Sequence, residues 1–308
     1  MSEANILDIC RRIAVERPYF AFSKLFTGEN GEILGEVQRE HPLGYECSPL
    51  GAAEIGRHLA ILGSCAAAAE SDDTRRFYLA TRAEYQRIKV TQHDLPKHTK
   101  FLATARVEQR AARTLSAKMT MQIGNDTPFV SLFVEYRILS EPLFQRLFAH
   151  LAVAEKDTGD ESPYTNPIPL SWSEPTHTTI VARNGGLPPH SCAGHFRGYP
   201  AWPVAIIVAC MLRTVEKLLQ HVLQSPVQWL MDNCTVEAFE LVAAATPVTF
   251  STTYLGAMAE SQHKFICVAS AGNEMCARVV TAIRVVVASD VGSVDSHMEL
   301  AHEISESG

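Results

Sequence analysis

Residues 194–203 read GHFRGYPAWP, a stretch of glycine, proline and aromatic residues that runs directly into an apolar segment ending near Leu223. Glycine lets one backbone approach another closely, and proline suits the start of a helix. The stretch therefore predicts a loop that delivers a buried helix from Pro203 to about Leu223. Its spacing, H-x-x-G-x-x-x-x-P, occurs a second time at His41-Pro-Leu-Gly44-Tyr-Glu-Cys-Ser-Pro49, again ahead of an almost uncharged segment ending near Ala69. His41 and His195 are 154 residues apart, and so are Pro49 and Pro203. A register kept across the whole helix entry marks an internal repeat.

The text around each copy is also alike. Alternating apolar and polar residues run over 76–88, 100–109, 113–123 and 129–139 after the first, and over 227–241, 246–259, 263–270 and 277–288 after the second. A period of two is that of half-buried antiparallel strands. Upstream, Ile6, Ile9, Cys10 and Ile13 predict a short amphipathic helix closed by Pro18. FAFSKLF and EILGEVQ predict two strands around the turn Glu29-Asn30-Gly31. Ser48 is the expected N-cap of the first buried helix, with Pro49 in its first position. The class is α+β: one unit over 1–155, an extended proline-rich linker over 156–176, a second unit over 177–290, and an acidic frayed tail over 291–308.

Composition sets the bounds. The 308 residues, 46% apolar, supply one large core or two of ordinary size. The longest apolar run, 203–212, is half of a membrane span, and no basic stretch followed by a long apolar one opens the chain, so a cytoplasmic protein without membrane partner is expected. Eight scattered cysteines without a C-x-x-C pair fit reduced thiols. A net charge of −7 argues against a nucleic-acid partner. Locally, residues 82–118 hold nine Lys/Arg against three Asp/Glu, which reads either as solvated strand faces or as a docking patch for an acidic carrier protein or a phosphopantetheine arm. No G-x-S-x-G, P-loop or dinucleotide glycine pattern is present, which removes serine-hydrolase and hydride-transfer chemistry. His190, Cys192 and His195 lack a fourth ligand at metal spacing, so neither metal nor cofactor is expected.

With His195, Phe196, Gly198, Pro200 and Pro203 in place, residues 194–203 resemble the H-F-x-G-x-P-x-x-P signature of the β-hydroxyacyl-acyl-carrier-protein dehydratases. The resemblance implies a tandem (double) hotdog, each half a bent antiparallel sheet wrapped around a long buried helix. It implies His195 as catalytic base and, as acid, a carboxylate on the helix of the other unit six residues past the last proline. Six past Pro203 is Ala209, whereas Glu54 stands five past Pro49. Glu54 and His58 share a helix face and are similar to the D-x-x-x-Q/H pair of double-hotdog polyketide dehydratases. Glu54-Ile-Gly-Arg57-His58 is also similar to the E-x-x-R-Q run of the hotdog proteins that make γ-butyrolactone autoregulator precursors.

The site so implied pairs His195 with Glu54. Arg57 and His58 orient Glu54 or bind a pantetheine phosphate, Gly198 admits the loop, and Pro203 opens a helix whose free N–H groups face the thioester oxygen. His41, opposite Ala209, belongs to a degenerate second site. Dehydrating a 3-hydroxyacyl thioester takes a proton from C2 and gives one to the hydroxyl leaving C3. A neutral imidazole serves as the base, and a carboxyl on an apolar helix keeps the proton needed. The leading expectation is a trans-acting dehydratase of 3-hydroxyacyl chains carried on an acyl carrier protein or coenzyme A, in fatty-acid or polyketide-type biosynthesis. A hotdog thioesterase, with Glu54 or His195 activating water, and a non-catalytic acyl-binding partner are the alternatives, and pairing into a homodimer stays open.

Overall fold

The computed structural model describes residues 2–90, 95–96, 98–124, 126–153, 162–259 and 261–286. Two helices organise it. In α2 (Ala52–Ala69) all but four of the eighteen residues are buried, and α4 (Val204–Leu223) buries ten of twenty. A helix that is apolar nearly all round must be covered on most sides, and strands on both sides of the helix pair do this. The two helices also pack on each other.

The first unit contributes β1 (Ser2–Glu3), β2 (Lys24–Thr27), β3 (Ile33–Val37), β4 (Arg76–Arg87), β5 (Phe101–Arg110), β6 (Thr114–Ile123) and β7 (Val130–Ser140). The second contributes β8 (Ser171–Trp172), β9 (Thr179–Asn184), β10 (Gln228–Ala238), β11 (Val248–Ala259), β12 (Gln262–Ala271) and β13 (Glu274–Val286). They join in one antiparallel sheet of order β1-β2-β3-β5-β6-β7-β4-β10-β13-β12-β11-β9-β8. Outward from the central β4–β10 pair, β7, β6, β5, β3 and β2 on one side match β13, β12, β11, β9 and β8 on the other. The repeat seen in the loops is thus a repeat of the whole architecture.

The periodicity placed the long strands to within about three residues. It missed α3 (Glu141–Leu147), the two-residue edge strands β1 and β8, which are too short to show a period, and β9 beside β8. Helix α1 (Ile6–Ile13) is capped by Asn5, whose Oδ1 accepts the N–H groups of Leu7 and Asp8. The expected Ser48 cap is corrected: α2 begins at Ala52, Glu46 Oε1 accepts the Ala52 N–H at 2.8 Å, and the buried Ser48 hydroxyl has no partner. The described part of the 156–176 stretch is mostly exposed or half-buried, with one buried anchor. Tyr164 is buried and donates its hydroxyl to the Ala193 carbonyl at 2.7 Å, and residues 171–172 form β8. Residues 156–161 and the tail over 291–308 lie outside the described residues. All eight cysteines are buried free thiols. Among the described residues no helix is long and apolar enough to cross a membrane. In the basic stretch, Arg82, Lys100 and Arg106 pair with Glu84, Glu36 and Glu108.

Candidate functional site

The loop carrying His195 is fixed by its contact with the start of the chain. Val15 and His195 form an antiparallel bridge, and the Glu16 N–H donates to the Gly194 carbonyl at 2.9 Å. Gly194 has φ +79°, and a Cβ there would stand 2.2 Å from the Glu16 carbonyl oxygen. Backbone meets backbone at this point, so no side-chain rotation relieves the clash. Gly194→Ala is expected to cost at least about 2 kcal/mol, read as a lower midpoint in chemical denaturation. An unchanged midpoint would remove this loop anchor from the account.

The His195 ring packs against Tyr19, with centroids 4.9 Å apart, and against Phe196 at 4.2 Å. Its Nδ1 is buried without a partner. Burial lowers its pKa to about 4, against a backbone hydrogen bond at Ala201 that favours the charged ring. His195 therefore stands neutral at physiological pH. It borders a cavity of about 740 Å³, within the range of small-molecule sites. Small residues open that space: Ala53, Gly56 and Ala60 on α2 face Ala80 and Ala83 on β4 across it.

Among the further polar features at this cavity, which include Ser64, Tyr78, Thr81, Arg137 and His150, two concern its positive charge. Arg57 is 1% exposed. Its Nη2 is held by the Glu40 carboxylate, while Nε and Nη1 are buried without protein partners. Its guanidinium carbon lies 5.6 Å from the Tyr19 ring centroid and 5.2 Å from that of Tyr164, so aromatic faces supply part of its solvation. Val204 and Ala205, the first residues of α4, also line the wall, and this helix start has no side-chain cap. First-turn N–H groups have no intrahelical acceptor and carry the positive end of the helix dipole. Among the described lining residues the only carboxylate is Glu240, which is exposed at the rim.

Glu54 does not meet His195 in this cavity. It is 2% exposed and accepts the N–H groups of Glu40 at 2.6 Å and His41 at 3.3 Å, with His58 Nε2 at 3.5 Å. Burial raises its pKa, opposed first by His41. The expected spacing would not have placed an acid here either, since the residue six past Pro49 is Ile55, which is fully buried outside the cavity lining. The cavity-facing positions of α2 go instead to Ala53, Gly56, Arg57 and Ala60. Glu54 acts on the cavity indirectly, by holding the backbone of Glu40, whose carboxylate holds Arg57. His58, fully buried beside Phe22, backs Glu54, and burial takes its pKa well below the ordinary range. The ion pair of Arg57 is with Glu40 and not with Glu54. Gly198 adopts φ +78° and its carbonyl accepts the Val153 N–H at 3.0 Å, away from the cavity lining. Pro203 is the N-cap residue of α4.

His41 borders a separate cavity of about 100 Å³ together with Ala209, as the repeat implies. Burial lowers it to about 4 and its Nε2 has no partner. The sequence reading missed Glu216, two turns beyond Ala209, which accepts Trp229 Nε1 at 3.0 Å and the Tyr45 N–H at 3.3 Å in the same place. Glu40, Glu54 and His58 bring three metal-type ligand atoms within 4.8 Å of one another. They do not suit a metal, because Arg57 engages Glu40 and two backbone N–H groups engage Glu54.

Glu46 also lines the small cavity, and burial raises its pKa to about 8. A carboxyl that keeps its proton in the fold but loses it near 4.5 once unfolded makes stability fall as pH rises between those values. Glu46→Gln retains an acceptor for Ala52 and removes this slope. Its melting temperature is expected to gain on the wild type steadily from pH 5 to pH 8. The buried histidines favour the fold as pH rises through their range in both proteins and cancel in the difference. A constant offset would clear Glu46 of this role.

No protein-family model matches the chain, and no curated protein matches it by sequence. Solved structures do resemble it. The tesB protein of Mycobacterium avium subsp. paratuberculosis aligns over 92% of this chain and 100% of its own, with TM-score 0.56 and 9% identity. The 12:0-ACP thioesterase of Umbellularia californica aligns over 88% and 100%, with TM-score 0.54 and 9% identity. A conserved protein of unknown function with hot dog fold from Alicyclobacillus acidocaldarius aligns over 89% and 99%, with TM-score 0.52 and 12% identity. At these identities the likeness is one of fold: the chain has a hotdog-type architecture.

Proposed function

We propose that this chain is a tandem hotdog, with units over 1–155 and 177–290, that hydrolyses acyl thioesters of coenzyme A or an acyl carrier protein in the His195 cavity. The observation that carries the reading is the content of that cavity: apolar walls, a neutral imidazole, a guanidinium with unused donors and an uncapped helix start, with no buried carboxylate among the described residues. Hydrolysis needs a base for water and donors for a developing oxyanion. Dehydration needs a second acid aligned with the base, and Glu54 faces elsewhere. The thioesterases among the fold neighbours weigh the same way.

In the proposed step, His195 Nδ1 takes a proton from water as the water oxygen bonds to the thioester carbon. Charge moves to the carbonyl oxygen, where Arg57 and the first N–H groups of α4 are available as donors. Collapse re-forms the carbonyl and breaks the C–S bond, and the thiolate takes the proton from the imidazolium. The products are a carboxylic acid and a free thiol. The test supplies saturated and 3-hydroxyacyl pantetheine thioesters and follows both thiol release and enoyl absorbance. Thiol release without enoyl formation is expected. Enoyl formation from the 3-hydroxyacyl substrate without thiol release would return the site to dehydration, and neither signal at any chain length would leave it non-catalytic.

A further inference from the structure

The two central strands part like the tines of a fork. β4 and β10 pair only from Gln86 opposite Asn233 to Arg82 opposite Glu237. Past that point β4 runs on to Arg76, held by β7 on its other side with a bulge at Thr81, between Ala80 and Arg82. The chain beyond β10 turns away: the Phe239 N–H donates to the Cys276 carbonyl at 2.9 Å, and residues 242–244 bond to 200–202. Among the described residues, no strand covers the β10-facing edge of β4 over 76–81. Alternate residues of an antiparallel strand direct their N–H and C=O groups to opposite sides, so this edge presents backbone donors and acceptors to the opening.

The large cavity fills the fork. Tyr78, Leu79, Ala80 and Thr81 all line it, as do residues 238–241 on the other tine. Four consecutive strand residues can border one space when it follows the strand's edge, since over a face only every second side chain would reach it. The matching fork at the opposite end of the β4–β10 ladder is shut. There Trp229 donates to the Tyr45 carbonyl at 3.0 Å and accepts from the Cys47 N–H at 2.7 Å, and Arg87 Nε donates to the Met231 carbonyl at 2.8 Å. The residual space beside it is the 100 Å³ cavity of His41.

We propose that the open fork is the binding subsite for the pantetheine arm of the substrate, with the arm's amides pairing with the free edge of β4 over 76–81. This rests on the thioester reading of the same cavity. A pantetheine arm is thin, uncharged along its length and carries two secondary amides. It matches an opening bordered by Ala80, Ala83 and Ala238 and by unpaired backbone groups, and a plain fatty acid has nothing to satisfy those groups.

The test measures binding without turnover. Inert thioethers, S-dodecyl pantetheine and S-dodecyl N-acetylcysteamine, share the alkyl chain and differ by the second amide and the pantoyl group. Calorimetric titration is expected to give a Kd about tenfold lower for the pantetheine compound, the effect of one or two hydrogen bonds. Ala238→Arg, which places in the open fork a plug like Arg87 in the closed one, is expected to erase that preference. Equal affinities, no binding of either compound, or a preference untouched by Ala238→Arg overturns the proposal. Because the ligands are not hydrolysed, a chain that binds them with the expected preference but releases no thiol from thioesters would sink the hydrolase reading and leave this one standing.

Discussion

Replacing His195 with alanine is expected to lower kcat/KM for thioester hydrolysis by about 10³-fold, the middle of the range for loss of a general base. The imidazole packs on Tyr19 and Phe196 but leaves Nδ1 without a partner, so its removal breaks no protein hydrogen bond at that atom. The pH profile separates catalysis from folding. A base works only when unprotonated, and burial lowers His195 to about 4. The acid limb of kcat/KM in the wild type is therefore expected near pH 4, well below the 6.5 of an ordinary histidine. His195→Ala should lack that limb where the fold survives. Activity within threefold of wild type would eliminate His195 as the base.

The second large effect belongs to Arg57. Arg57→Met keeps much of the stem's bulk and removes every donor, and kcat is expected to fall by about 10²-fold or more with little change in KM, as for a lost oxyanion contact. Arg57→Lys should recover part of the rate, since an ammonium restores charge without the planar fork. The Met change also strips Glu40 of its ion-pair partner, and that carboxylate is 22% exposed, so some loss of stability accompanies it. A rise in KM at constant kcat would reassign Arg57 to ground-state binding.

Much of the architecture was written in the sequence because it is periodic. Eight long strands alternate, two helices are apolar nearly throughout, and the paired loops keep one register over 154 residues. The site was legible in part. The motif around His195 led to a loop that borders the large cavity, and the helix bearing Glu54 and Arg57 lines that cavity as well. Which of the two faces the cavity depends on a rotation of about 100° per residue, and that phase was set by a helix start lying three residues past Pro49. Glu46, not Ser48, satisfies the first N–H group, because backbone bonds to Trp229 hold residues 45–47 against β10. Contacts between residues far apart in the chain leave no local pattern. The pairing of Glu216 with Tyr45, 171 positions away, is of this kind, as is the bridge from Val15 to His195.

Arg87 closes one fork and leaves the other open, and that difference bears on heredity. Where two identical subunits meet about a twofold axis, one codon specifies both ends of the ladder, and any side chain that plugs one entrance plugs the other. Here the two ends are encoded separately. A substitution at Arg87 or Trp229 meets selection without touching the His195 end, so one half is free to become scaffold while the other keeps a ligand. Random mutagenesis under selection for thioester turnover should accordingly find the small cavity tolerant of volume-conserving change and the fork over 76–81 and 238–241 intolerant.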